Sequence, residues 1–267
     1  MRKSGGKRAI AEAAQGAIGL AVLTEFLIAL QFLTIVRVKE TLPFDTTSLG
    51  RSAVFFPLVG LLIGMLLWGL DWGLRWYCPT GLRSIVVVAT LAILSRGVHL
   101  DGLADSADGL LGSSDRQRSL AIMKDSAIGT FGALALIGVL LLKVRSLDLV
   151  FGEARDAALL VGPMLSRWAS VVMAYYSSPA RTEGLGAAFV TSVSFREYGW
   201  ASGFSLLVIF IVAGISGLVL LALVGSFILG ATRYCAHRLG GVTGDTLGAL
   251  GELVETVTFC FFVLAVP

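Results

Sequence analysis

Charge is scarce in this chain. Asp, Glu, Lys and Arg make up 15% of its 267 residues, against about 25% in an ordinary soluble domain. So little polar surface excludes a water-soluble globule. The net charge is +3, and the basic residues are scattered rather than massed, so no nucleic-acid partner is expected. Cysteine is sparse as well. Cys78, Cys235 and Cys260 form no C-x-x-C pair, so neither a disulfide framework nor a cysteine zinc site follows. Internal repeats, low-complexity tails and proline-rich linkers are missing, and residues 1–267 are expected to form a single domain. The start, MRKSGGKR, is basic and precedes an apolar stretch. Glu25 and Gln31 interrupt that stretch and no small-residue cleavage site follows, which argues against a cleaved signal peptide.

What is abundant is apolar sequence. The chain is 56% hydrophobic, with a mean hydropathy of +0.85. Runs such as 54–70 and 203–230 approach or exceed the ~20 residues a bilayer span needs. The alternating ~10-residue segments of a membrane β-barrel do not appear. The expected fold is therefore all-α, a polytopic membrane helix bundle, because a helix satisfies its own backbone in lipid. Seven spans are expected, near 52–74, 82–98, 128–146, 157–176, 198–214, 216–236 and 247–266. The fifth and sixth divide one long run at Gly214-Ile215-Ser216-Gly217. Segment 17–36 is expected to be an interfacial or re-entrant helix. That choice puts 15 Lys and Arg inside and 5 (Arg75, Arg83, Lys143, Arg145 and Arg155) outside, with Arg167 within a span, as the positive-inside rule requires. The polar stretches 96–127, 177–197 and 237–246 then all face the cytoplasm.

One of those stretches is HLDGLADSADGLL (99–111). Asp101, Asp105 and Asp108 are spaced four and then three residues apart. At ~100° per residue they share one helical face. Three like charges on one face repel unless a cation sits among them, and hard carboxylate oxygens suit Mg²⁺. The surrounding leucines and alanines do not resemble a solvated acidic loop, and carboxylates beside lipid are functional by default. Gly102 and Gly109 allow a helix or an anion to approach closely.

Opposite charge follows in SSDRQRSLAIMKDSAIGTFG (113–132). Arg116, Arg118 and Lys124 beside a metal site are the parts that bind phosphate or pyrophosphate. Asp125 is a candidate fourth ligand or base, and Ser126, Gly129 and Thr130 stand at the mouth of the next span. His99, two residues before Asp101, is a candidate for substrate contact or proton transfer. A second cluster, RLGGVTGDTLGALGELVETV (238–257), carries Gly241, Gly244 and Asp245 in a turn entering the last helix, where backbone N–H groups can cradle phosphate. No G-K-[ST] follows, so this is no Walker loop. Glu252 and Glu255 share a face within an apolar span and need a partner, with Arg167 or the aspartate site as candidates.

HLDGLADSADGLL, followed by IMKDSAIGTFG and LGGVTGDTLGA, closely resembles the cobalamin synthase family, the adenosylcobinamide-GDP ribazoletransferases. RSAVFFPLVGLLIG (51–64), the Ser166-Arg167 pair and EGLG (183–186) agree in order. The resemblance covers most of the chain. It implies a multi-pass, Mg²⁺-dependent transferase of the bacterial inner membrane with a cytoplasmic active site. Its substrates would be adenosylcobinamide-GDP and α-ribazole or the 5′-phosphate of α-ribazole. GMP would leave, and adenosylcobalamin or its 5′-phosphate would form. On this reading Asp101, Asp105, Asp108 and Asp125 hold metal, and Asp105 or Asp125 takes the hydroxyl proton. Lys124 with Arg116 or Arg118 neutralises the leaving group, and His99, Arg167, Glu252 and the 241–245 turn contact substrate. The stretch FLTIVRV (32–38) lacks a proline usual in the family, and Ala127 stands where a basic residue is common. Two rivals are a CDP-alcohol phosphotransferase, whose D-G-A-R motif this chain lacks, and an ion-coupled transporter built on Arg167, Glu252 and Glu255. Partners are the lipid bilayer and the two small molecules, and a homo-oligomer through the apolar helices is compatible with the sequence.

Overall fold

The computed structural model describes residues 19–38 and 45–265. The first helix, α1, is Gly19–Leu33. Residues 17 and 18 of the segment expected there lie outside the described part. α2, Thr46–Ser52, continues through a 3-10 turn, Ala53–Phe55, into α3, Phe56–Leu74. Asp45 caps α2, its Oδ1 accepting the Ser48 N–H at 2.7 Å. Then come α4, Thr80–Leu94, α5, Val98–Gly112, α6, Arg116–Ile122, α7, Thr130–Leu149, and α8, Gly152–Tyr175. The chain ends with α9, Leu185–Ser192, α10, Phe195–Leu239, and α11, Gly244–Ala265. An isolated bridge joins Pro179 to Val242, and the described residues hold no longer strand.

Among the described residues, five helical stretches are long and apolar enough to cross a membrane: Thr46–Leu74, α7, α8, α10 and α11. α10 is two limbs. Straight, its 45 residues would extend ~67 Å, about twice the ~30 Å hydrocarbon core. It breaks at Gly214, where φ is 55° and ψ is −136°. A Cβ on Gly217 would lie 2.6 Å from Cγ2 of Ile209, although eight residues of straight helix rise ~12 Å. The chain doubles back at the expected division.

The expected span 82–98 needs correction. α4 stops at Leu94 and meets α5 at 88°. Arg96 and Gly97 make the corner with φ of 54° and 68°, left-handed values that end a helix. At 15 residues, α4 is ~22 Å long, short of a full span by itself, but α4 and α5 together are long and apolar enough for one broken span.

α8 forms the spine, buried along nearly its whole length. Gly60 and Gly64 of α3 seat directly on it. A Cβ at Gly64 would lie 2.7 Å from the Leu159 carbonyl oxygen. Pro163, four residues on, has no N–H to give that carbonyl. Small residues let membrane helices approach this closely, so α3 covers the freed oxygen. At one end of the bundle Arg155 grips buried Asp71 through Nη2–Oδ1 at 2.6 Å and Nε–Oδ2 at 3.1 Å, and Arg83 reaches Oδ2 at 2.7 Å. Arg155 also donates to the Leu147 carbonyl. This clamp ties together α3, α4, α7 and α8.

Candidate active site

The opposite end opens into a cavity of about 540 Å³. Ser95 and Arg96 at the α4–α5 corner, His99 and Asp101 of α5, Ser170 of α8, and Gly244 and Asp245 of α11 line it. α1 closes one side with Gln31 and Phe32, and α9 contributes Gly186 and Phe189. Arg96 is the one non-glycine residue with positive φ among those described, and it lines the cavity, where backbone strain tends to gather in functional sites.

α5 and α11 cross at Gly102, whose Cβ would lie 2.7 Å from the Asp245 carbonyl oxygen. That glycine therefore admits a helix, and the crossing sets Asp101 and Asp245 on the same cavity. Asp105 is half-buried, and the like charges of Asp101, Asp245 and Asp108 act on it, with Arg181 opposing them. Arg181 donates to Asp245 Oδ2 at 3.3 Å and to the Leu120 carbonyl at 3.1 Å. Thr243 starts α11: its Oγ1 accepts the Thr246 N–H at 3.2 Å, and its own N–H reaches Thr246 Oγ1 at 2.8 Å. The amides of Gly244 and Asp245 head that helix beside the cavity, and first-turn amides lack acceptors within their own helix.

Asp108 differs from the other two. Its oxygens accept the Gly129 N–H at 2.7 Å and the Gly132 N–H at 2.9 Å. Gly129, the residue before α7, has no side chain to cap that helix, so Asp108 caps it from α5. A Cβ on either glycine would strike the carboxylate.

The remaining sequence candidates separate. Lys124, Asp125, Ser126 and Thr130 are exposed, as is Arg118, and none of them lines the cavity. Asp125 Oδ1 accepts the Ala127 N–H at 3.1 Å. Arg116 is a tether, its Nε donating to the Leu239 carbonyl at 2.6 Å and Nη2 to that of Ala180 at 3.3 Å. Gly241 is buried against the backbone of Ser178–Ala180 and does not line the cavity.

Glu252 and Glu255 find a partner the sequence placed elsewhere. Lys143, counted above with an outside loop, is buried inside the bundle at 2% exposure. Its Nζ contacts Glu252 Oε2 at 2.5 Å and Glu255 Oε1 at 2.6 Å. Arg167 completes the set at 3.1 Å from Glu255 Oε2. Two cations and two carboxylates thus pair with one another inside the bundle.

Among the described residues no three His, Cys, Asp or Glu side chains converge as a ready metal site. The donor chemistry still suits a hard cation: Asp101 and Asp245 bring carboxylates to the cavity, Asp105 lies close enough for their charges to act on it, and Arg37, Arg96 and Arg181 border them. Sequence reading missed Arg96, Arg181, Gln31 and Phe32 as site residues. The family-like EGLG motif was the available pointer to α9.

These features define a class: a polytopic helical membrane protein with an acidic, arginine-bordered cavity at one end of the bundle. The family model for cobalamin-5-phosphate synthase matches residues 25–263, and the chain belongs to that family. A relative from Syntrophobacter fumaroxidans is 41% identical over 86% of this chain and 94% of its own. One from Roseiflexus sp. is 39% identical over 90% and 89%, and one from Pseudomonas fluorescens 41% over 86% and 95%. All three carry the name adenosylcobinamide-GDP ribazoletransferase. No solved structure matches the chain.

Proposed function

We propose that this chain transfers the adenosylcobinamide-phosphate moiety of adenosylcobinamide-GDP onto α-ribazole or its 5′-phosphate. A ribosyl hydroxyl oxygen forms the new bond to the phosphorus attached to cobinamide. The anhydride bond to GMP breaks, and GMP leaves with that electron pair. The observation that carries this reading is the meeting of Asp101, Gly244 and Asp245 on one cavity in a chain of this family.

Asp101, Asp105 and Asp245 would hold Mg²⁺, which when bound supplies charge neutralisation on phosphate oxygens. Asp105 takes the proton from the attacking hydroxyl. Arg181 and the Gly244 and Asp245 amides orient the anionic phosphates. Asp108 fixes the turn of α7 against α5 and so positions the other aspartates.

The chain sits in the bacterial inner membrane with this mouth toward the cytoplasm. The charge bias supports that orientation. Of the five basic residues counted outside, Lys143 and Arg155 are buried and Arg83 is held by Asp71. Arg75 and Arg145 are the exposed ones.

Purified full-length protein should release GMP from adenosylcobinamide-GDP when α-ribazole and Mg²⁺ are both present, with no ion gradient. Equal GMP release without α-ribazole, or none with it, would overturn the assignment.

A further inference from the structure

Three phenylalanines from three helices share one wall of the cavity. Phe56 and Phe189 stack with centroids 5.0 Å apart and planes 3° from parallel. Phe32 lies over both, at 5.8 and 6.2 Å and 25° to each. Phe56 and Phe189 are buried, while Phe32 is half-buried. Gln31 and His99 line the same cavity, and each keeps one shielded atom without a hydrogen-bond partner, Gln31 Oε1 and His99 Nδ1. An aromatic wall flanked by two polar side chains describes a seat for a flat ring with a polar edge.

We propose that this wall seats the benzimidazole base of α-ribazole beside His99, with the ribosyl hydroxyls on the Gln31 side, and aims the attacking hydroxyl at the Asp101–Asp245 mouth. The assignment rests on the transferase reading above and says which substrate enters where. Size supports it: about 540 Å³ is the scale of a pocket for one drug-sized molecule, suited to a nucleoside and too small to enclose a corrinoid with its side chains. Polarity supports it too. Benzimidazole is an apolar ring with one free ring nitrogen, an acceptor that asks for a single donor at the polar edge of the wall. The guanine of the other substrate carries several donors and acceptors along its edge. Against Phe32, Phe56, Phe189 and Leu33 most of these would lose their hydrogen bonds.

The test is equilibrium binding of α-ribazole, followed by benzimidazole fluorescence, to the purified full-length protein without the second substrate. Steady-state rates are measured alongside. Phe32→Ala should weaken α-ribazole binding about tenfold, the scale of one lost base–aromatic contact, and raise its KM in parallel. The KM for adenosylcobinamide-GDP should stay within about twofold. Phe32→Trp should restore binding, and GMP should not compete. Phe32→Leu keeps most of the volume and serves if the alanine variant fails to fold. Unchanged α-ribazole affinity in a folded Phe32 variant would overturn the seat, as would a rise in KM confined to adenosylcobinamide-GDP. Wild-type protein that binds α-ribazole through Phe32 yet releases no GMP would contradict the reaction and leave the seat standing. Turnover indifferent to Phe32 would do the reverse.

Discussion

Two groups of carboxylates lie near one another in this bundle and behave in opposite ways. Glu252 and Glu255 are closed off by Lys143 and Arg167, charge for charge, with every member buried. Asp101 and Asp245 line an open cavity whose wall also carries Arg37 and Arg96, with Asp105 beside them and Arg181 paired to Asp245 at 3.3 Å. In the sequence both groups look alike: acidic residues at helical spacing in apolar surroundings. Pairing separates them. A closed set holds helices together, while an open set retains charge for a ligand to meet.

The contrast can be broken most forcefully at Lys143. Lys143→Ala leaves two buried carboxylates facing Arg167 alone. Removing one partner of a buried ion pair costs about 3–5 kcal/mol, so thermal unfolding in detergent should show a large loss of stability. A near-wild-type midpoint would mean the cluster is not closed. Next is Asp108, whose oxygens are taken up by the Gly129 and Gly132 amides. Asp108→Ala strands the Gly129 and Gly132 amides and should destabilise by about 1–3 kcal/mol. Asp108→Asn keeps one acceptor oxygen and should recover part of that, and equal losses in the two variants would argue against the cap. Arg116→Ala removes two donors to backbone carbonyls, at about 1 kcal/mol each, and should raise the rate of proteolytic nicking around 113–123. The smallest effect belongs to Lys124→Ala. Lys124 is exposed and lines no part of the cavity, so GMP release should change by less than about threefold. A hundredfold loss would extend the open mouth to the α6–α7 loop.

Much of this was legible in the sequence because it depends on local pattern. Long apolar runs mark spans, and Gly214 marks the turn within the longest of them. Spacing along 101–108 puts the aspartates on one helix. The rest needs contacts between distant positions. Lys143 meets Glu252 across 109 residues, and nothing local distinguishes it from Arg145, an exposed cation two residues on. Asp71 lies in an apolar run and gave no sign that Arg83 and Arg155 close on it. Asp108 looks like its neighbours until the α7 amides appear beside it. Gln31 and Phe32 looked like parts of an interfacial helix, and only the packing of α1 beside the α4–α5 corner, with Ile35 N–H on the Leu94 carbonyl at 2.7 Å, brings them to the cavity.

The difference between the open and closed groups is tested most directly at Asp245. GMP release from adenosylcobinamide-GDP with α-ribazole should be compared in wild-type protein and Asp245→Asn, with the unfolding midpoint of each measured in the same detergent. The account predicts a loss of roughly 10²–10⁴-fold in rate with the midpoint unchanged. Wild-type turnover in Asp245→Asn, or a loss of rate that only follows a collapse in stability, would contradict it.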